Sequence, residues 1–204
     1  MDLHSDFTVE EQEIILQKVA ESDQEAFKTL YLFFSKRLLH FAFAIVKVKE
    51  SSEEIVEDVF IKLWKSRENL VHVQNIKVYL YSAIKNTSLN YISKKAKECI
   101  TEPFDHIDIE LSESQDPEKI MITSEMFTRL QEAVDTLAPR CKIIFKLIRE
   151  DGLKYKEVAE ILNISVNTID AQMAIAVKKI AFALRNEVEQ LKEIKKVKEL
   201  DNPF

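Results

Sequence analysis

One glycine, Gly152, and four prolines in a chain of 204 residues constrain the fold more than any other feature. Tight turns between strands depend on glycine for positive φ and on proline for a pre-set φ. A chain almost without them is not many-stranded. The expectation is an all-α protein: two small helical domains joined by an acidic linker. A composition of 46% hydrophobic and 31% charged residues is that of a chain that buries a core, not of a disordered one.

Apolar periodicity places the helices. Phe27, Leu30, Tyr31, Phe34, Leu38, Phe41, Ala42 and Ile45 follow the three-and-four spacing of one buried stripe. A second stripe, Ile55, Val56, Val59, Phe60, Leu63 and Trp64, follows Ser51-Ser52-Glu53-Glu54, where a serine before acids is a helix-start signal. A third runs through Ile76, Tyr79, Leu80, Ala83 and Ile84 towards Ile92. Beyond a stretch with two prolines and no stripe, Met126, Leu130, Val134 and Leu137 predict a helix stopped by Pro139. Ile143, Ile144, Leu147 and Ile148 predict another stopped at Gly152. The resulting division is an acidic segment 1–19, a helical domain 20–98, an acidic linker 99–119, a second helical domain 120–185 and a helical tail 186–204. The linker, at about 3.3 Å per residue, reaches up to roughly 60 Å.

Charge is segregated along this division. The net charge is −6, which taken alone opposes nucleic-acid binding. However, Lys77 to Glu98 holds five lysines and one acid, and Pro139 to Arg185 holds nine basic and five acidic residues. Thr101 to Glu118 holds seven acids and no Lys or Arg, and the first 25 residues hold eight acids and Lys18 alone. Two basic segments separated by acid point to two DNA-facing surfaces.

Other classes are disfavoured. No apolar run follows a basic start as in an export signal. The longest apolar cluster, Leu38 to Val46, is broken by His40 and falls short of the roughly 18 residues of a membrane span, so a cytoplasmic location is expected. Cys99 and Cys141 have no disulfide or zinc spacing and read as ordinary thiols. The histidines His4, His40, His72 and His106 neither cluster nor pair with a nucleophile. No catalytic residue, metal, cofactor or small-molecule substrate is expected.

The most specific local pattern runs from Tyr155 to Ile169. Val158, Leu162, Ile164 and Ile169 can form the shared core of two crossed helices, with Ala159 small enough for close approach. Asn163 suits a left-handed turn position and Ser165 suits a helix cap. This is the layout of a helix-turn-helix. In a major groove the second helix would present Val166, Asn167, Asp170, Ala171, Ala174 and Ile175, with Ser165 and Thr168 at its start and Lys178 and Lys179 nearer the phosphates. The face lacks arginine, so bidentate guanine readout is not available.

The order of segments resembles an extracytoplasmic-function (ECF) sigma factor of the sigma-70 family. Asp23-Gln24-Glu25-Ala26-Phe27 resembles its region 2.1, and Glu53-Glu54-Ile55-Val56-Glu57-Asp58-Val59-Phe60-Ile61-Lys62-Leu63-Trp64 its region 2.2. Asn75 to Thr87 with Asn90-Tyr91-Ile92-Ser93-Lys94-Lys95 is similar to regions 2.3 and 2.4, and Pro139 to Lys179 to region 4. The resemblance covers roughly residues 20 to 98 and 120 to 185.

It implies a factor that recruits core RNA polymerase to promoter DNA. Glu54, Glu57, Asp58 and Lys62 become candidate contacts to the polymerase β′ clamp helices, although Glu57 stands where the family often has glutamine. Lys77, Lys85, Asn86, Asn90, Lys94 and Lys95 become candidates for holding unpaired −10 DNA, through cations for phosphates and amides for base edges. The loop Val71-His72-Val73-Gln74-Asn75 matches the segment that shapes a pocket for a flipped base. Tyr79 falls on the buried stripe, Tyr81 suits stacking and burial equally, and His72 reads as solvent-exposed. The acidic linker resembles the family's region 3.2 connector. Family members are often held by an anti-sigma factor, which adds a candidate partner. The chief rival reading is a stand-alone operator-binding repressor whose N-terminal helices dimerise, but it leaves the segment order and charge segregation without a reason. A helical adaptor without DNA and a helical enzyme are weaker still.

Overall fold

The computed structural model describes residues 7–99 and 130–200. They divide into two compact units, and every regular element among them is helical. Most of the acidic linker, with Thr101 to Glu118, and residues 126–129 of the predicted 126–137 helix lie outside the described residues.

The first unit begins with α1 (Val9–Ala20). Thr8 and Glu11 form a reciprocal cap there: Glu11 N–H donates to Thr8 Oγ1 at 3.2 Å and Thr8 N–H to Glu11 Oε2 at 2.8 Å. α1 lies in the segment set apart above as acidic. It buries Ile15, Leu16 and Val19 and packs on α2 and a 3-10 turn, so its short apolar stripe joins the domain core. α2 (Gln24–Val46) is capped by the Asp23 carboxylate, which accepts from the N–H of Glu25 and of Ala26. It ends where Lys47 enters the left-handed region at φ 63°.

α2 is long and apolar enough, at 23 residues and mean hydropathy 1.3, to pass the length and composition test for a membrane span. His40 therefore does not exclude it, contrary to the sequence expectation. The structure gives the stripe another use: Leu30, Phe34, Leu38, Phe41 and Ala42 are buried in the domain core, where each large side chain contributes about 1.5–3 kcal/mol by leaving water.

α3 (Lys49–Lys65) starts earlier than the serine signal suggests. Ser51 and Ser52 are not caps but buried residues of the first turn: the Ser52 hydroxyl donates to Val48 O at 2.6 Å, and Ser51 Oγ lies 2.7 Å from Tyr91 Oη of the next long helix. Small side chains here let the helices approach. The 3-10 turn (Arg67–His72) buries Leu70 and leads to α4 (Ile76–Cys99). Asn75 Oδ1 accepts the N–H of Val78 at 3.1 Å and so caps α4. The buried residues of α4 include Val78, Leu80, Tyr81, Ile84 and Ser88.

Tyr81 is therefore in the core, with its ring 5.2 Å from Phe41, while Tyr79 is 40% exposed. This reverses the expectation for Tyr79. The buried arc is centred near residue 81 and leaves residue 79 on the opposite side, at 100° per residue.

The second unit is described from a helical segment, α5 (residues 130–135). Pro139 is more than a stop: it occupies the first turn of α6 (Pro139–Arg149), a position that needs no N–H. α6 ends through Gly152 at φ 66°, which lets Leu153 N–H reach Leu147 O at 2.9 Å. α7 (Tyr155–Leu162) and α8 (Val166–Leu200) follow, and α8 continues unbroken through the segment read as a separate helical tail. Ala133, Val134, Leu137, Cys141, Ala176 and Ile180 form one core cluster, with Phe145 and Ala183 packed against it.

Candidate nucleic-acid and polymerase interfaces

Three surfaces collect the residues singled out by the sequence. On α3, Glu54, Glu57, Asp58 and Lys62 are all exposed, opposite the buried Ile55, Val59 and Leu63. Helical spacing alone produces that arrangement. Sequence reasoning missed what lies beside it, an open depression of about 350 Å³ lined by Phe27, Tyr31, Glu57, Phe60, Ile61, Trp64 and Lys65. Ile61 is 50% exposed at its rim. An apolar residue off the buried stripe of an otherwise charged helix face was the available signal.

On α4, Asn86, Asn90, Lys94 and Lys95 are exposed and Lys85 is half-buried. Lys77 departs from expectation: only 8% exposed, it lies beneath the surface rather than among the cations open to a phosphate. Tyr79, Asn86 and Asn90 fall within about 40° of one another on the helix and form a face with one aromatic and two carboxamides. Lys95 turns elsewhere, its ammonium 5.9 Å from the Tyr91 ring centroid. The loop of residues 71–75 adjoins the first turn of this face, where Tyr79 N–H donates to Asn75 O at 3.0 Å. His72 is exposed, as read.

The third surface is the start of α8. Asn163 takes the left-handed conformation at φ 54°, and Ile164 N–H reaches back to Ala159 O at 3.0 Å. Ser165 Oγ accepts the N–H of Thr168 at 3.1 Å and lies 2.8 Å from Thr168 Oγ1. Both hydroxyls are thus engaged in the cap, which makes Ser165 and Thr168 builders of the turn. Val158, Ala159, Ile161 and Ile169 are buried, while Leu162 and Ile164 of the expected core set are half-buried. Asn167, Asp170, Ala171, Ala174, Ile175, Lys178 and Lys179 are exposed. Asn167, Ala171, Ala174 and Lys178 share one face.

Cys141 is buried, its thiol 3.3 Å from Gln172 O. Burial pushes its pKa up, opposed in part by the nearby Lys179 ammonium. It is a core thiol.

Comparison with known proteins assigns these surfaces to named regions. Residues 30–98 match the family model "Sigma-70 region 2" and residues 127–180 match "Sigma-70, region 4", together more than half the chain. The ECF RNA polymerase sigma-E factor of Escherichia coli K12 is 23% identical over 168 residues, covering 79% of this chain and 87% of that protein. The Haemophilus influenzae sigma-E factor is 22% identical over 166 residues, 78% of this chain and 87% of that one. Among solved structures, the sigma factor RpoE of Bartonella quintana, in complex with the anti-sigma factor NepR, shares the fold with a TM-score of 0.60 at 19% identity, covering 78% of this chain and 96% of that one. CnrH, in complex with the cytosolic domain of CnrY, has a TM-score of 0.54 at 16% identity, covering 86% and 97%. Region 2 before region 4 is the order of a polymerase-borne factor and disfavours a stand-alone repressor. The chain belongs to the sigma-70 family: it is an ECF-type RNA polymerase sigma factor, a soluble, non-enzymatic protein of transcription initiation that binds core polymerase and promoter DNA.

Proposed function

We propose that the three surfaces divide the work of initiation. The outer face of α4, with Tyr79, Asn86 and Asn90 beside the 71–75 loop, holds the unpaired non-template strand of the −10 element and so assists melting. The observation that carries this reading is the convergence of an exposed aromatic and two carboxamides on one helix face. An aromatic stacks on any base and amides read its edge. Exposed Lys94 and half-buried Lys85 supply cations for the adjacent phosphates.

The first turns of α8 read duplex −35 DNA in the major groove. Asn167 can pair with adenine, Asp170 can accept from a cytosine amino group, and Ala171 and Ala174 can meet thymine methyls. Lys178 and Lys179 serve the phosphates. Glu54, Glu57, Asp58 and Lys62 dock on the β′ clamp helices of the polymerase, with Ile61 and the neighbouring apolar depression supplying desolvated area. The anti-sigma factor NepR bound to RpoE supports a similar partner for this chain, and its place of action is the cytoplasm.

The test is run-off transcription by core polymerase on genomic fragments, with and without the chain. Discrete start sites dependent on the chain are expected. High-affinity binding of the chain alone to a symmetric operator, without stimulated transcription, would refute the reading.

A further inference from the structure

Gln12 of α1, a helix distant in the chain but packed on the 3-10 turn, bonds the backbone at the end of the loop. Its Nε2–H donates to Gln74 O at 2.9 Å, and its Oε1 accepts the N–H of Ile76 at 3.2 Å. One carboxamide thereby satisfies the backbone on both sides of Asn75, the residue that caps α4. The other end of the segment is tied to the same part of the fold. Arg67 Nε–H donates to Ser22 Oγ at 2.8 Å in the turn after α1, where Ser22 has φ 71°. Arg67 also donates to Trp64 O at 3.2 Å, with its guanidinium 5.0 Å from the Trp64 ring centroid. Residues 67 to 76 are therefore pinned at each end by α1 or the turn that follows it.

α1 is a poor DNA ligand itself. Glu10, Glu11 and Glu13 are exposed on it, with Lys18 its sole cation. Its value to an anion-binding surface must come through what it holds.

We infer that Gln12 is a positioning residue for capture of the unpaired base: its carboxamide fixes the backbone of Gln74 and Ile76, which sets the 71–75 loop against the Tyr79, Asn86 and Asn90 face. The inference rests on the proposed role of that face. Loss of two partly exposed hydrogen bonds should loosen the loop without unfolding the core, because Ile15, Leu16 and Val19 still bury α1.

The experiment uses the full chain bound to core polymerase and a degenerate single-stranded DNA pool, with the bound fraction sequenced. Gln12→Ala should lower capture about 3- to 10-fold and flatten base preference at one or two positions, with polymerase affinity and thermal midpoint close to wild type. Gln12→Glu, which keeps the acceptor for Ile76 N–H and loses the donor to Gln74 O, should fall between. Faster hydrogen exchange at the Ile76 amide reports the lost anchor directly. Unchanged base preference in both Gln12 variants, while Asn86→Ala with Asn90→Ala abolishes capture, would overturn the inference and leave the function of the face standing. Unchanged capture in all three variants would overturn both. Equal loss of polymerase binding and of capture in Gln12→Ala would also overturn it, since the residue would then serve the fold at large.

Discussion

The two surfaces proposed to face DNA are built on different length scales. In the helix-turn-helix, each polar bond that shapes the turn is local: Lys154 N–H to Glu157 Oε2 at 2.7 Å opens α7, Ile164 closes on Ala159, and Ser165 bonds Thr168. At the surface proposed for −10 DNA the loop is held by Gln12 and Ser22, through bonds that span 62, 64 and 45 residues of chain. A local turn needs the right residue at the right offset. A surface held across the fold needs the whole domain in place first, and its anchors leave no periodic mark in the chain.

The largest effect expected is at the docking face. Glu54→Lys with Asp58→Lys should weaken association with polymerase by roughly 100-fold through charge repulsion across the interface, while circular dichroism stays wild type. Undiminished co-purification would sink the docking assignment.

The comparison itself is broken or sharpened by separating opening from recognition. Asn86→Ala with Asn90→Ala should reduce permanganate reactivity of −10 thymines about tenfold, each stacked or amide contact being worth on the order of 1 kcal/mol or more, with recruitment retained. Asn167→Ala with Asp170→Ala should instead change which −35 sequences are used, at about 1–3 kcal/mol of discrimination per lost base contact. If both variants opened DNA equally poorly, the division of labour would be wrong.

The locality of the turn can be weighed directly. Asn163→Val should cost about 1–2 kcal/mol of folding stability, because a β-branched residue resists the left-handed region, whereas Asn163→Gly should be close to neutral. Equal denaturation midpoints for the two variants would show that the turn tolerates another geometry.

Smallest is the effect of alkali. The Cys141 pKa is raised in the folded state by burial, so the neutral thiol is favoured there and its stabilising contribution is present below the unfolded pKa. It is lost as pH rises through the higher folded value. A modest alkaline loss of second-unit stability is expected, absent in Cys141→Ala, whose own cavity cost is read at neutral pH.

How much was legible follows the same division. Asn163 and Ser165 were readable because left-handed turns and caps select residue types at fixed positions, and the exposure of Glu54, Glu57, Asp58 and Lys62 followed from helical period. The start of α3 was misread because Ser51 and Ser52 carry a cap signature but serve as small packing residues against Tyr91. Tyr79 was misassigned, and Tyr81 left open, because the apolar residues of α4 fit more than one helical stripe. Which one is buried depends on how α4 is rotated against Phe41, a decision made by packing.

By itself, the sequence determined the helical class, the order of the two regions, the acidic face of α3 and the turn that presents α8. The order of the regions rests on the family resemblance, and the others on composition, period or offsets of a few residues. Only the tertiary structure decided that Lys77 is buried, that Tyr79 rather than Tyr81 faces outward, and that α1 reaches across to the loop before α4. Each of those depends on the rotation of a helix or on a contact between residues distant in the chain, and the energies that select them exist only once the helices have packed.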